Sequence, residues 1–312
     1  MAKSSKDIGQ RGREDALKYA LTCEADGGLM TEEGLAGKFG QGRAQCLEWL
    51  QELSRMGWIS LESEGWRLSE TGRIEANKVL RAHRIYETYL AERTSTPGAD
   101  WHNRAEDKEH ELSEQEVNRM AKELGYPRFD PHGDPIPTRQ GELETREGEG
   151  LLSLAEGESG LILHVEDEPP VIFENLTREG FAPGMEITLL SKGKHSLKVR
   201  LEGRSTEIDL KEATKVEVRR LDLNEVHQNR MRLSQLDQGQ IGKIVKLSPA
   251  CRGSVRRRLL DMGLVPGTEI THELRGAFAF PRAFRIRGTL IALRQEQADK
   301  IIVEVGKEFS HV

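Results

Sequence analysis

The stretch HNRAEDKEHELS, residues 102–113, holds two histidines and four acidic side chains in twelve positions. Read as a helix, it sets His102, Glu106, Glu109 and His110 at i, i+4, i+7 and i+8, on one face. That face is either a solvated charged surface or half of a metal site. A second pair, His83 and Glu87, stands one helical turn apart upstream. Either set alone is more often a surface ion pair. Two neighbouring helices that each offer imidazole and carboxylate strengthen the case for a metal, because borderline divalent ions take these donors, while spacing alone leaves both readings open.

Working outward, Ser113 with Glu116 makes a capping box and Leu112 with Val117 a hydrophobic staple, so a new helix starts there and stops at Gly125 and Pro127. DPHGDPIP (130–137) predicts an extended, proline-fixed loop. Upstream, Ile74, Val79, Leu80, Ile85, Tyr86, Tyr89 and Leu90 mark the apolar side of a long helix from Ser69 or Arg73 to Arg93. Before it come helices over 14–25, over TEEGLAGKF (31–39, Thr31 as N-cap) and over RAQCLEWLQELSRMG (43–57). WISLESEGWRLSETG (58–72) alternates and turns at Glu64-Gly65, the pattern of a hairpin. Three helices followed by a hairpin predict a winged helix-turn-helix.

Residues 139–150 are polar and rich in Gly and Glu, a natural linker. Beyond them the chain repeats itself. LTREGFAPGMEITLL (176–190) and LLDMGLVPGTEITHE (259–273) match at a constant offset, pairing Gly180 with Gly263 and Pro183-Gly184 with Pro266-Gly267. A constant offset means a duplicated module. Each copy reads as a small barrel of short strands with one helical turn before the Pro-Gly turn.

The composition sets bounds. The chain has 312 residues, 36% hydrophobic and 31% charged, the balance of a soluble protein. No run reaches the roughly 18 apolar residues of a membrane span, and the first residues lack the apolar core of a secretory signal, so a cytosolic protein is expected. Cys23, Cys46 and Cys251 are far apart and read as isolated buried thiols, not a disulfide framework. The net charge of −6 hides an asymmetry: residues 233–305 carry twelve Lys/Arg against seven Asp/Glu.

LRAHRIYETYL (80–90), HNRAEDKEHELSEQEVNRM (102–120) and HGDPIP (132–137), following a winged helix, resemble the diphtheria-toxin-repressor and manganese-transport-regulator family of metal-activated repressors. The resemblance covers residues 14 to about 138. RRRLLDMGLVPGTEI (256–270) and FRIRGTLIALRQEQADKIIVEV (284–305) resemble the SH3-like domain of the FeoA ferrous-iron transport accessory proteins. Repressors of the family often end in one such domain, and here the repeat supplies two. The implied architecture is multidomain α+β: a winged helix-turn-helix DNA-binding domain (1–72), an all-α metal-binding and dimerisation domain (73–138), the linker (139–150), and two small SH3-like β-barrels (151–222 and 233–306).

The resemblance also implies ligands. A principal metal site would draw on Asp15, Glu106, Glu109 and His110, and a second on His83, Glu87 and His102. Iron-type members place Met and Cys where this chain has Asp15 and Glu106; the manganese regulators place Asp and Glu, as here. Harder oxygen donors suit Mn(II). The manganese regulators carry a glutamate where this chain has Lys18, so Fe(II) stands beside Mn(II) as an expected cofactor.

The expected function is a metal-dependent DNA-binding transcriptional regulator, a repressor of metal uptake, working as a homodimer on a palindromic double-stranded operator. Gln41, Arg43 and Gln45 are the expected DNA contacts. The helix that carries them is poor in Lys and Arg, so Lys3, Lys6, Arg11, Arg13 and Arg67 are candidates for supplying phosphate contacts. That poverty keeps a second reading open, a non-DNA-binding metal sensor or accessory protein of ferrous-iron transport acting on a protein partner through its SH3-like domains. A metallohydrolase would need a second constellation for substrate, so no enzyme activity is expected. Arg252, Arg256, Arg257 and Arg258 read as a solvated helix face, and His132 and His164 as structural. Trp49, Trp58, Trp66 and Trp101 read as packing residues, with Trp49 a candidate for exposure on the third helix.

Overall fold

The computed structural model describes residues 5–222, 224–225, 229–276, 279 and 281–305, with side chains from residue 9 onward. Lys3 and the side chain of Lys6 lie outside the described residues. The chain divides into two compact units, one of residues 1–89, 100–130 and 134–146, the other of 90–99, 131–133 and 147–312.

The first unit opens with α1 (Ser5–Ala25), α2 (Glu32–Phe39) and α3 (Arg43–Arg55), then the antiparallel pair β1 (Ile59–Glu62) and β2 (Gly65–Leu68). Thr31 caps α2 as expected, its hydroxyl accepting from Gly34 N at 3.0 Å. Ala16, Leu17 and Ala20 of α1 pack with Cys46, Trp49, Leu50 and Leu53 of α3 and with Trp66 and Leu68 of β2. Two expectations fail here. The pairs Leu61↔Trp66 and Glu62↔Gly65 put the hairpin turn at Ser63-Glu64, one residue early. Trp49 is buried, because Gly12 leaves α1 open at that point: a Cβ there would stand 2.2 Å from the indole ring.

The unit continues with α4 (Glu70–Arg93), α5 (Trp101–Lys108) and α6 (Glu114–Glu123). The helix read over residues 102–113 stops at Lys108, and Glu109–Glu111 form a 3₁₀ turn. Tightening the last turn is one way a helix satisfies its terminal carbonyls. Leu112 is then extended, and Ser113 starts α6 with both bonds of its capping box in place. Ala82 and Ile85 of α4 form a second cluster with Val117, Ala121 and Ile136, against which Leu112 packs. The start of the linker region is tied down, with Asn77 Nδ2 donating to Gly141 O at 2.7 Å and Arg146 pairing with Asp134 at 2.9 Å.

The second unit holds the duplication. Its first half is β3 (Glu149–Gly150), β4 (Ser159–Val165), α7 (Pro170–Glu179), β5 (Glu186–Lys192), β6 (Ser196–Leu201), β7 (Arg204–Asp209), α8 (Leu210–Ala213) and β8 (Val216–Arg220). The second half is β9 (Arg230–Arg232), β10 (Ile241–Leu247), α9 (Gly253–Asp261), β11 (Glu269–Arg275), β12 (Arg282–Ile286), β13 (Thr289–Leu293), α10 (Gln295–Ala298) and β14 (Ile301–Glu304). The two six-stranded antiparallel sheets run β3-β8-β4-β5-β6-β7 and β9-β14-β10-β11-β12-β13, the same topology twice. Register repeats too, Ile187 facing Leu201 as Ile270 faces Ile286. Gly180 and Gly263 follow the equivalent helices at φ 94° and 83°, where a side chain would be strained.

The two halves touch through one face of the first. Lys246 pairs with the buried Glu202 at 2.6 Å and donates to Gly184 O at 3.2 Å, while Arg232, itself buried, donates to Leu201 O at 3.4 Å. Arg252 pairs with Glu92 at 2.9 Å, so it is not part of a solvated face. Cys46 and Cys251 are buried, but Cys23 is half-buried, contrary to the expectation of three buried thiols. Among the described residues no helix is long and apolar enough to cross a membrane.

Candidate metal centre

Six of the seven expected ligands fall into two groups. The donor atoms of Asp15, Glu109 and His110 lie within 4.8 Å of one another, and so do those of His83, Glu87 and His102. Asp15 comes from α1, Glu109 and His110 from the 3₁₀ turn, His83 and Glu87 from α4, and His102 from α5. Glu106 joins neither group. Its carboxylate is partly exposed and lies 3.8 Å from His102 Nε2. The change from α-helix to 3₁₀ turn between Glu106 and Glu109 explains this, since the two helix types advance by different angles per residue.

The first group centres on His110. Its Nε2 lies 3.0 Å from Asp15 Oδ1 and 3.4 Å from Glu109 Oε1, yet it is buried and makes no aligned hydrogen bond to either. Its Nδ1 donates to Glu14 at 2.6 Å. Burial opposes protonation of the ring, but the Asp15 and Glu14 carboxylates, aided by Glu109, outweigh it and push the pKa up to about 9. Glu14 was not among the expected ligands. It is the neighbour of Asp15, and only the turn of the chain at Glu109–Glu111 brings His110 Nδ1 to it.

Glu109 joins the two groups. Its side chain is fully buried; it accepts from Lys18 Nζ at 2.7 and 2.9 Å and from His83 Nδ1. Burial raises the pKa of such a carboxyl, but His83 and Lys18 reverse that and hold it below the usual range. His83 in turn is buried, which disfavours its charge, yet Glu87 and Glu109 raise its pKa against the opposing Lys18. Its Nε2 lies 3.1 Å from Glu87 Oε1, and His102 Nδ1 lies 3.5 Å from the same oxygen. An imidazole whose far nitrogen is held by a carboxylate is the usual outer support of a metal-binding histidine.

The donor set fits a divalent cation of the borderline to hard class: carboxylate oxygens and imidazole nitrogens with no thiolate or thioether. The buried His110 Nε2, facing two carboxylates without a bond, is the place where a cation would complete the group. A cavity of about 200 Å³, lined in part by Glu14, Leu17, Ala82, Glu109, His110 and Val117, adjoins it.

The expected DNA contacts lie at the start of α3 and just before it. Gln41 and Arg43 are exposed and Gln45 is half-buried. Arg43 faces Glu33 at 3.3 Å and Gln45 Nε2 donates to Glu48 at 3.0 Å. Arg67 pairs with Glu62 and Arg13 with Glu52, while Arg11 lies 3.4 Å from Asp107.

Comparison with known proteins agrees with this organisation. Residues 69–138 match the metal-binding and dimerisation domain of the iron-dependent repressors, and residues 150–220 and 231–305 each match the FeoA domain. The chain thus carries a metal-binding and dimerisation domain like that of the iron-dependent repressors together with two FeoA domains, and is similar to manganese- and iron-dependent transcriptional repressors. It is 29% identical over 122 residues to the iron-dependent repressor IdeR of Mycobacterium tuberculosis, covering 39% of this chain and 53% of that protein. It is 33% identical over 98 residues to a "Probable metal transport system membrane protein" of Chlamydia trachomatis serovar D, covering 31% of this chain and 21% of that protein. It therefore spans only about a fifth to a half of the length of these curated relatives. Among solved structures, a manganese-dependent transcriptional repressor in complex with manganese superposes with a TM-score of 0.60 at 25% identity, covering 67% of this chain and 99% of that one. The apo form of the manganese-activated repressor ScaR shares the fold, with a TM-score of 0.54 at 23% identity, covering 66% and 100%.

Proposed function

We propose that the protein is a cytoplasmic, homodimeric transcriptional regulator that binds operator DNA when loaded with Mn(II) or Fe(II) and represses metal-uptake genes. Residues 1–72 form the winged helix-turn-helix, 73–138 the metal-binding and dimerisation domain, 139–150 the linker, and 151–222 and 233–306 two SH3-like barrels. The observation that carries this reading is the meeting of Asp15, on the first helix of the DNA-binding segment, with Glu109 and His110 of the dimerisation segment. The relatives named as repressors support it over the accessory-protein reading.

A bound divalent cation supplies the positive charge that lets these carboxylates share one place. Asp15, Glu109 and His110 do the rest. Two carboxylates about 4 Å apart repel by about 4 kcal/mol at an effective dielectric of 20. With that repulsion reversed, Asp15 holds α1 to the 3₁₀ turn, and the two DNA-binding segments of a dimer take the spacing of operator half-sites, about 34 Å or a multiple of it. Gln41, Arg43 and Gln45 then face the major groove. Without the cation, protonated His110 holds Asp15 and Glu14, a weaker clasp because it lacks a second charge.

Fluorescence anisotropy of a labelled duplex from the gene's own upstream region tests this, with Mn(II), anaerobic Fe(II) or chelator and scrambled DNA as competitor. Specific binding that requires metal is the expected result. Specific binding unaffected by chelator, or none at this and neighbouring metal-transport promoters, would refute it.

A further inference from the structure

Lys18 stands one turn after Glu14 and Asp15 on α1 and reaches a carboxylate that both metal groups use. Its ammonium lies 2.7 and 2.9 Å from the two oxygens of Glu109 and 3.5 Å from His83 Nδ1. The side chain of Glu109 is 0% exposed and that of Lys18 18%. Glu109 meets an imidazole from each group, His110 at 3.4 Å through Oε1 and His83 through Oε2. A buried carboxylate between two imidazoles is where a cation shared by the two groups would sit. An ammonium already sits there.

We propose that Lys18 is a tethered cation that fills the position between Glu109 and His83, so that no divalent ion enters it and Glu109 is never shared by two ions. This rests on the metal-regulator reading for the surrounding groups. Two consequences follow from the chemistry. In the metal-free chain Lys18 offsets a wholly buried negative charge that would otherwise be costly. In the loaded chain its positive charge, within hydrogen-bonding reach of a ligand, weakens cation binding at the Asp15 group, so the site answers only to higher metal concentrations.

The test uses the full-length chain and its K18E and K18Q variants, with Mn(II) counted by equilibrium dialysis and examined by electron paramagnetic resonance. K18E should bind one more ion per chain than the wild type, with the line broadening of neighbouring Mn(II) ions. K18Q, which removes the charge at little change in size, should bind Mn(II) about tenfold more tightly. In chelator both variants should melt several degrees lower than the wild type. Equal ion counts in K18E and wild type, a broadened pair in the wild type, or unchanged affinity in K18Q would each overturn the assignment. A wild type that binds no ion while K18E binds one would refute the metal-regulator reading and leave the role of Lys18 standing.

Discussion

His110 Nδ1 lies 2.6 Å from the carboxylate of Glu14, ninety-six positions away in the chain, and the negative charges of Asp15 and Glu14 beside the ring push its pKa up to about 9. The folded pKa is above the unfolded value of about 6.5, so the stabilisation is complete below pH 6.5 and is lost as the pH rises through 9. At most about 3 kcal/mol is at stake. Urea unfolding in chelator should show a midpoint that falls between pH 6.5 and 9, and Glu14→Gln should shrink the fall.

In the proposed reading the same proton competes with metal. A metal-bound imidazole nitrogen must be unprotonated. Titration calorimetry in buffers of different ionisation enthalpy should therefore report release of about one proton per ion at pH 7, with affinity rising toward pH 9. Affinity that stays flat over that range would mean His110 is no ligand.

In the proposed reading, charge around the start of α3 opposes DNA binding. Glu33 faces Arg43, and Glu48 accepts from Gln45. Glu48→Gln should strengthen operator binding about threefold or more, because one charge repelling phosphate is removed. Arg43→Ala should lower the salt slope of log affinity by about 1. Filter binding across a salt series reads both.

The contact between the two FeoA domains depends on Lys246 and Glu202, 2.6 Å apart, with the Glu202 side chain 2% and that of Lys246 30% exposed. Lys246→Met leaves a buried carboxylate without its partner, so it should destabilise the chain by about 2 kcal/mol, somewhat under the range for a fully buried pair. Adding Glu202→Gln should recover part of that. Chemical denaturation followed by tryptophan-independent circular dichroism distinguishes the single from the double variant.

Close packing gives a further test. A Cβ at residue 12 would meet the Trp49 ring at 2.2 Å, so Gly12→Ala should cost about 1–3 kcal/mol and shift the indole emission. Trp49 emission in the wild type should not change on DNA binding, since the ring is buried.

Much of this was legible in local patterns. The Ser113–Glu116 capping box, the Thr31 cap and the offset between the two FeoA copies each depend on residues a few positions apart, and each stands in the structure as read. Six of the seven expected residues also come together in the two groups in which they were read. Glu106 lies outside both groups: the helix read straight through His110 instead tightens in its last turn, where Leu112 becomes extended ahead of the Ser113 cap. The burial of Trp49 depends on Gly12, thirty-seven positions earlier, and no periodicity within α3 reports it. The partners of Glu14 and Lys18 likewise arise from contacts between α1 and residues more than ninety positions on.

The most direct test of the central claim is operator binding by Asp15→Ala at fixed Mn(II), measured by fluorescence anisotropy beside the wild type. Removing Asp15 takes away the proposed ligand on the proposed DNA-binding segment and leaves Glu109 and His110 in place. Metal-dependent binding should be lost, or need at least about a hundredfold more metal. Asp15→Ala that binds the operator at the same metal concentration as the wild type would contradict it.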